Sequence, residues 1–208
     1  MYTLYFMPGA CSLATQVILR ELNQPVRLID KSNTPDFAKI NPVGSVPVLV
    51  DGEQQGDQAI LREGVAIILH LLNKHENSLM PSGSVFRTQA VENLLYANAT
   101  VHPAYGRLFF IAEHISDGPN KDAAFKAAAD SINHLWGVVE NKLAGQPYLG
   151  GDRVSPADIL LAVYSRWGEY FPVDIRIGEN TSRMINKVIQ MDSFQRSLAA
   201  ESTESNAA

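Results

Sequence analysis

Residues 1–22 read MYTLYFMPGACSLATQVILREL, and the change of periodicity inside this stretch decides the fold class. Tyr2–Phe6 is a short, aromatic-rich run halted by Pro8-Gly9, which predicts a strand. From Ser12 to Leu22 the apolar residues Leu13, Val17, Ile18, Leu19 and Leu22 recur at helical spacing, while Gln16, Arg20 and Glu21 can face water. A strand running through a proline-glycine turn into an amphipathic helix opens a β-α unit.

Val26–Ile29 reads as a second short strand, and Thr34-Pro35-Asp36 offers a helix cap followed by proline at the first helical position. A short helix is predicted there. Val48–Val50 after Pro47 and Ala59–Leu61 flank the polar segment DGEQQGDQ, which predicts an antiparallel hairpin with a long loop at Asp51–Gln58. Gly64–Lys74 reads as a helix. Periodicity then gives way to KHENSLMPSGS at Lys74–Ser84, so a domain of residues 1–75 and a linker of 76–84 are predicted. Beyond them Val85–Phe110, Lys121–Ala144, Ser155–Trp167 and Thr181–Met191 suit helices, making 85–200 an all-helical domain. Pro103 should kink the first of these, and the polar tail 201–208 should fray. The order is that of an α/β, thioredoxin-like N-terminal domain followed by an all-α C-terminal domain.

Composition narrows the partners. With 17 Lys+Arg against 22 Asp+Glu, the formal charge of −5 lacks the basic footprint that nucleic acid or an anionic membrane surface requires. The 46% hydrophobic content of 208 residues is enough for a substantial core. No apolar run reaches the ~18 residues needed to span a bilayer, and no cationic leader precedes Tyr2, so a cytoplasmic protein is expected. Cys11 is the single cysteine, which excludes an internal disulfide and any multi-cysteine zinc site; no metal-binding motif is present and none is expected.

Four places can carry chemistry. Cys11 lies at the predicted start of the first helix, where unpaired N–H groups favour a thiolate; the bland alternative is a small buried hydrophobe. Ala14 stands where a second thiol of a dithiol motif would be, leaving only chemistry with an external thiol. Val46-Pro47 precedes a strand, and from pattern alone a cis turn and an ordinary trans strand start both stay open. Glu63-Gly64 opens a helix, where backbone N–H groups can hold a carboxylate and Glu63 an ammonium, or Glu63 can simply favour the helix dipole. His102, beside Pro103, can be a base, a cleft contact or a surface residue. By contrast Ser155-Pro156-Ala157-Asp158 has the form of a helix-capping box and is assigned a structural role.

Taken together, MYTLYFMPGACSLATQVILREL, INPVGSVPVLV, ILREGVAIILHLL and SPADILLAV resemble the glutathione transferase family across nearly the whole chain, most closely its bacterial beta class. The resemblance implies a cis Pro47, a twofold homodimer, and glutathione as co-substrate. It implies that the Val46 backbone pairs with the cysteinyl part of glutathione and that Glu63 and Gly64 hold its γ-glutamyl end. Cys11, followed by Ser12, matches the cysteine placed beside the glutathione sulfur, and His102 matches a histidine lining the acceptor site. Cys11, Ser12 and His102 are therefore the expected catalytic residues. The chain departs from the pattern at Pro103, where many members carry lysine, at Leu95, which replaces a polar residue, and in the longer loop Asp51–Gln58. The expected reaction joins the glutathione thiolate to a small hydrophobic electrophile. The alternatives are a thiol-disulfide oxidoreductase or peroxidase using Cys11, and a non-catalytic interaction protein of the same architecture.

Overall fold

A computed structural model describes the backbone of residues 1–206. The chain divides into two compact units, one formed by Met1–Ser78 together with the C-terminal segment from Ile189, the other by Leu79–Val188.

In the first unit, β1 (Tyr2–Phe6), β2 (Val26–Asp30), β3 (Val48–Asp51) and β4 (Ile60–Leu61) form a mixed sheet in the order β2-β1-β3-β4. β1 pairs in parallel with β2 and antiparallel with β3, which pairs antiparallel with β4. Tyr2, Leu4 and Phe6 are buried at period two, the spacing of one sheet face. Helix α1 (Ser12–Glu21) buries Leu13, Val17, Ile18 and Leu19, and α3 (Gly64–Lys74) buries Val65, Ile67, Ile68, Leu71 and Leu72. The expected hairpin is present, its loop carrying a 3₁₀ turn at Gly56–Ala59.

The short helix α2 is Phe37–Ile40 and does not begin at the expected Thr34-Pro35 cap. Asp30 instead caps a 3₁₀ turn at Lys31–Asn33, its Oδ1 accepting from Ser32 N at 2.8 Å, and Asp36 enters α2 in the left-handed region at φ 56°. Aspartate tolerates that region better than most residues, so the turn is made by Asp36 and not by the proline before it.

The second unit contains α4 (Ser84–Leu95), α5 (His102–His114), α6 (Pro119–Lys142), α7 (Pro156–Tyr164) and α8 (Glu179–Ile189), whose last residue falls in the first unit. The single helix expected over Val85–Phe110 is two, joined by π-helical turns at Tyr96–Val101. This widening lies immediately before Pro103, whose ring would crowd a regular preceding turn and whose missing N–H removes one ladder bond. Every residue of α7 is buried, and its capping box is complete: Asp158 accepts from Ser155 N at 2.8 Å and from Leu149 N at 2.9 Å, while Ser155 Oγ bonds Asp158 at 2.6 Å. Glu140 of α6 caps α8, accepting from Asn180 N at 3.0 Å and Thr181 N at 2.8 Å.

The C-terminal segment differs most from expectation. Residues 192–206 form helix α9 (Asp192–Asn206), which packs on α1, and Phe194, Ser197 and Glu201 are buried. The expected frayed tail is thus helical through Asn206; positions 207 and 208 lie outside the described residues. Burial at 194, 197 and 201 follows helical spacing; residues 194 and 197 lie within the expected helical stretch, and Glu201, expected to fray, is buried because α1 supplies its partners. Among the described residues no helix is long and apolar enough to cross a membrane.

Candidate functional site

Strand register gathers the predicted residues of the first unit at one edge of the sheet. Tyr5 pairs with Val48 and Leu49 with Leu61; two further steps along each pairing bring Met7 level with Val46 and Pro47 level with Glu63. The turn into α1, the start of β3 and the start of α3 therefore share that edge. The Val46–Pro47 peptide bond is cis.

Cys11 caps α1 at φ −59° and is half-buried, its Sγ donating to the Val46 carbonyl at 3.3 Å. Its surroundings oppose the expected thiolate. Desolvation by burial pushes the thiol from 9.0 up to about 11, outweighing the backbone N–H groups of Cys11 and Ser12 that pull the other way. Cys11 is a neutral donor here, and helix-end polarity alone does not decide a thiol's charge when the sulfur is buried beside a carbonyl. Ser12 is fully buried, and its hydroxyl accepts from Met7 N and donates to Met7 O, both at 3.3 Å. The Ser12 hydroxyl closes the Met7–Ser12 turn.

Val46 is half-buried and Pro47 buried at the end of a loop fixed from several sides. The buried Asn41 amide donates to Ser45 O at 2.8 Å, Lys31 Nζ donates to Gly44 O at 2.8 Å, and Arg62 Nε donates to Ile40 O at 2.8 Å. Gly44 sits at φ +74°, a conformation that strains any side chain. Glu63 precedes α3 in extended conformation and is exposed, making no side-chain capping bond. A carboxylate placed there without being committed to its own helix suits recognition of an ammonium, and the start of α3 at Gly64 suits a carboxylate.

Two features of this site lay beyond the sequence reading. The loop-fixing bonds of Asn41 and Lys31 become recognisable only once β2 and α2 are in place. Glu201, from α9, accepts from Gly9 N at 3.0 Å and from Gln16 Nε2 at 2.8 Å, reaching across 192 residues to the turn that carries Cys11.

His102 belongs to the second unit. Its half-buried ring stacks on Tyr164 with centroids 5.0 Å apart and lies 5.1 Å from Trp167. Desolvation lowers its pKa from the ordinary histidine value and so favours the neutral imidazole. An aromatic setting of this kind fits a cleft contact better than a free surface histidine. Trp136 Nε1 donates to the buried Tyr105 hydroxyl at 2.9 Å, and both rings lie in the core.

Comparisons with known proteins bear on the family and the fold. The model of the glutathione S-transferase N-terminal domain matches residues 4–79, and that of the C-terminal domain matches residues 99–183. Glutathione S-transferase GST-4.5 of Xanthomonas campestris pv. campestris is 28% identical over 204 residues, covering 95% of this chain and 98% of the relative. Among solved structures, a glutathione-S-transferase from Xylella fastidiosa has a TM-score of 0.85 at 27% identity, covering 97% of this chain and 99% of that one. A bacterial beta class glutathione S-transferase of Sphingomonas chungbukensis has a TM-score of 0.78 at 25% identity, covering 96% and 98%. Because both domain models of one family match in order, over a four-stranded mixed sheet with helices followed by a helical unit, the chain belongs to the glutathione S-transferase family.

Proposed function

We propose that this protein binds glutathione at the edge of the sheet formed by Val46, Pro47, Glu63 and Gly64, and that it transfers the glutathione thiolate to small hydrophobic electrophiles. The observation that carries the reading is the Cys11 Sγ to Val46 carbonyl hydrogen bond beside the cis Val46–Pro47 bond. It places a sulfur donor against the backbone that an extended thiol peptide would use. Glu63 takes the γ-glutamyl ammonium, the α3 N-terminus takes the adjacent carboxylate, and the backbone of Val46, which precedes β3 and lies outside its paired residues, bonds the extended cysteinyl residue.

A thiol kept neutral remains a hydrogen-bond donor, so Cys11 can turn from the Val46 carbonyl toward the sulfur of bound glutathione and stabilise it as a thiolate. The thiol proton of glutathione passes to water. The thiolate sulfur then forms a bond to the electrophilic carbon, and with an aryl halide the carbon–halogen bond breaks and halide departs with the electron pair. Catalysis consists of thiolate stabilisation and proximity. Within the second unit His102 is the half-buried member of the cluster it forms with the buried Tyr164 and Trp167, and it is the residue proposed to meet a hydrophobic acceptor. The protein is read as a cytoplasmic homodimer, for which light scattering should give about twice the 22.8 kDa chain mass.

Calorimetry with millimolar glutathione, followed by turnover of an aryl halide, an organic peroxide and a mixed disulfide, tests the reading. Absence of both binding heat and thermal shift would overturn it. Turnover of the disulfide alone, abolished in Cys11→Ala, would replace it with an oxidoreductase in which Cys11 attacks.

A further inference from the structure

We propose that Glu201, on the C-terminal helix α9, is a positioning residue that holds the Gly9–Cys11 turn in the conformation the thiol site requires. The inference rests on the proposed role of Cys11 at that site.

The turn is a short polar excursion between β1 and α1. Gly9 lies at φ +73°, Ala10 N donates to Met7 O at 3.1 Å, and Leu13 N donates to Ala10 O at 3.2 Å. From inside, Ser12 latches it to Met7. From α9, one oxygen of Glu201 accepts from Gly9 N, two residues before Cys11, while the other accepts from Gln16 Nε2 on α1. Glu201 is 4% exposed and Gln16 fully buried. Burying a carboxyl group is expensive unless its oxygens are bonded, and here each oxygen has a donor, one on the turn and one on α1, so this contact sets the turn relative to the helix it feeds. A separate bond, Arg20 Nε to Ser197 Oγ at 3.1 Å, joins the same two helices further along α1 without touching the turn.

These two bonds allow positioning to be separated from simple helix packing. In Glu201→Ala the turn loses its outer anchor, the Cys11 sulfur gains water, and its thiolate fraction near neutral pH rises. Iodoacetamide should then alkylate Cys11 faster by about threefold or more, with the rate–pH midpoint displaced toward acid. Glutathione affinity should fall in parallel. Glu201→Gln should restore both, because an amide oxygen can still accept from Gly9 N and its NH₂ group can meet Gln16 Oε1, which is buried without a partner in the wild type. Ser197→Ala should leave the alkylation profile unchanged. Should Glu201→Ala not fold, Glu201→Leu keeps the buried volume while removing the acceptor, and the same acceleration is expected.

An unchanged profile in the folded Ala or Leu variant overturns the proposal, as does an equal change in Ser197→Ala. Alkylation needs no glutathione. Wild-type protein that fails to bind glutathione while Glu201→Ala still accelerates alkylation would therefore retire the functional reading and leave the positioning of Cys11 supported.

Discussion

Lys74 Nζ lies 2.7 Å from Asp51 Oδ2, and the pair stands at the end of the sheet opposite Cys11, where Asp51 faces Tyr2 across the β1–β3 ladder. His70 Nε2 shares the same oxygen at 3.0 Å, and Glu53 N donates to Oδ1 at 3.1 Å. Burial by itself would raise the Asp51 carboxyl, but the bonds from Lys74, the Glu53 backbone and His70 outweigh it and hold the group below 3.8. A carboxyl depressed on folding contributes stability that is present above its unfolded pKa and lost as pH falls through its folded one.

Asp51→Asn should therefore destabilise the protein by about 3 kcal/mol at pH 7, the low end for breaking a buried pair, because Lys74 and His70 keep partial contact with water. The gap to wild type should narrow as pH falls below 3.8 and through the depressed range of the folded carboxyl. Urea unfolding at the two extremes checks this, and a gap independent of pH would show that packing, not charge, sets the effect.

The half-buried Cys11 should titrate late. In wild-type protein without glutathione, the rate of alkylation should keep rising well above pH 9, consistent with a thiol pushed up to about 11. A plateau reached by pH 8 would contradict this, and with it the view that Cys11 acts as a donor. Under that view Cys11→Ala keeps substantial aryl-transfer activity and loses any exchange with glutathione disulfide.

Glu63→Ala should weaken glutathione binding by roughly 1.5–3 kcal/mol, the usual range for a hydrogen bond to a charged group. Calorimetry reads the difference directly. An unaltered affinity would make Glu63 a surface charge that merely precedes α3.

In the second unit the two members of the capping box should behave unequally. Ser155→Ala removes a cap and should cost about 1 kcal/mol. Asp158→Ala also leaves the buried Leu149 and Ser155 N–H groups without their acceptor, and should cost about 3 kcal/mol or more. Parallel denaturation curves of the two variants give the comparison, and equal losses would mean that the Leu149 bond carries little weight.

The aromatic-rich run Tyr2–Phe6 halted by Pro8-Gly9, the helical spacing after Ser12, and the loss of periodicity near Lys74 pointed to the sheet domain and the helical unit, because local propensity and burial agree there. The capping box was legible for the same reason, its donors and acceptors lying within four residues. Tertiary structure alone decided the charge of Cys11, which depends on desolvation and the Val46 carbonyl as well as on the helix end. It also decided that α9 is a helix. Phe194, Ser197 and Glu201 are buried at helical spacing, yet serine and glutamate are worth burying only where Arg20, Gln16 and Gly9 present their N–H groups, and those donors lie some 180 residues away in the chain. Long-range pairing of polar groups has no periodic signature, whereas burial of apolar ones does.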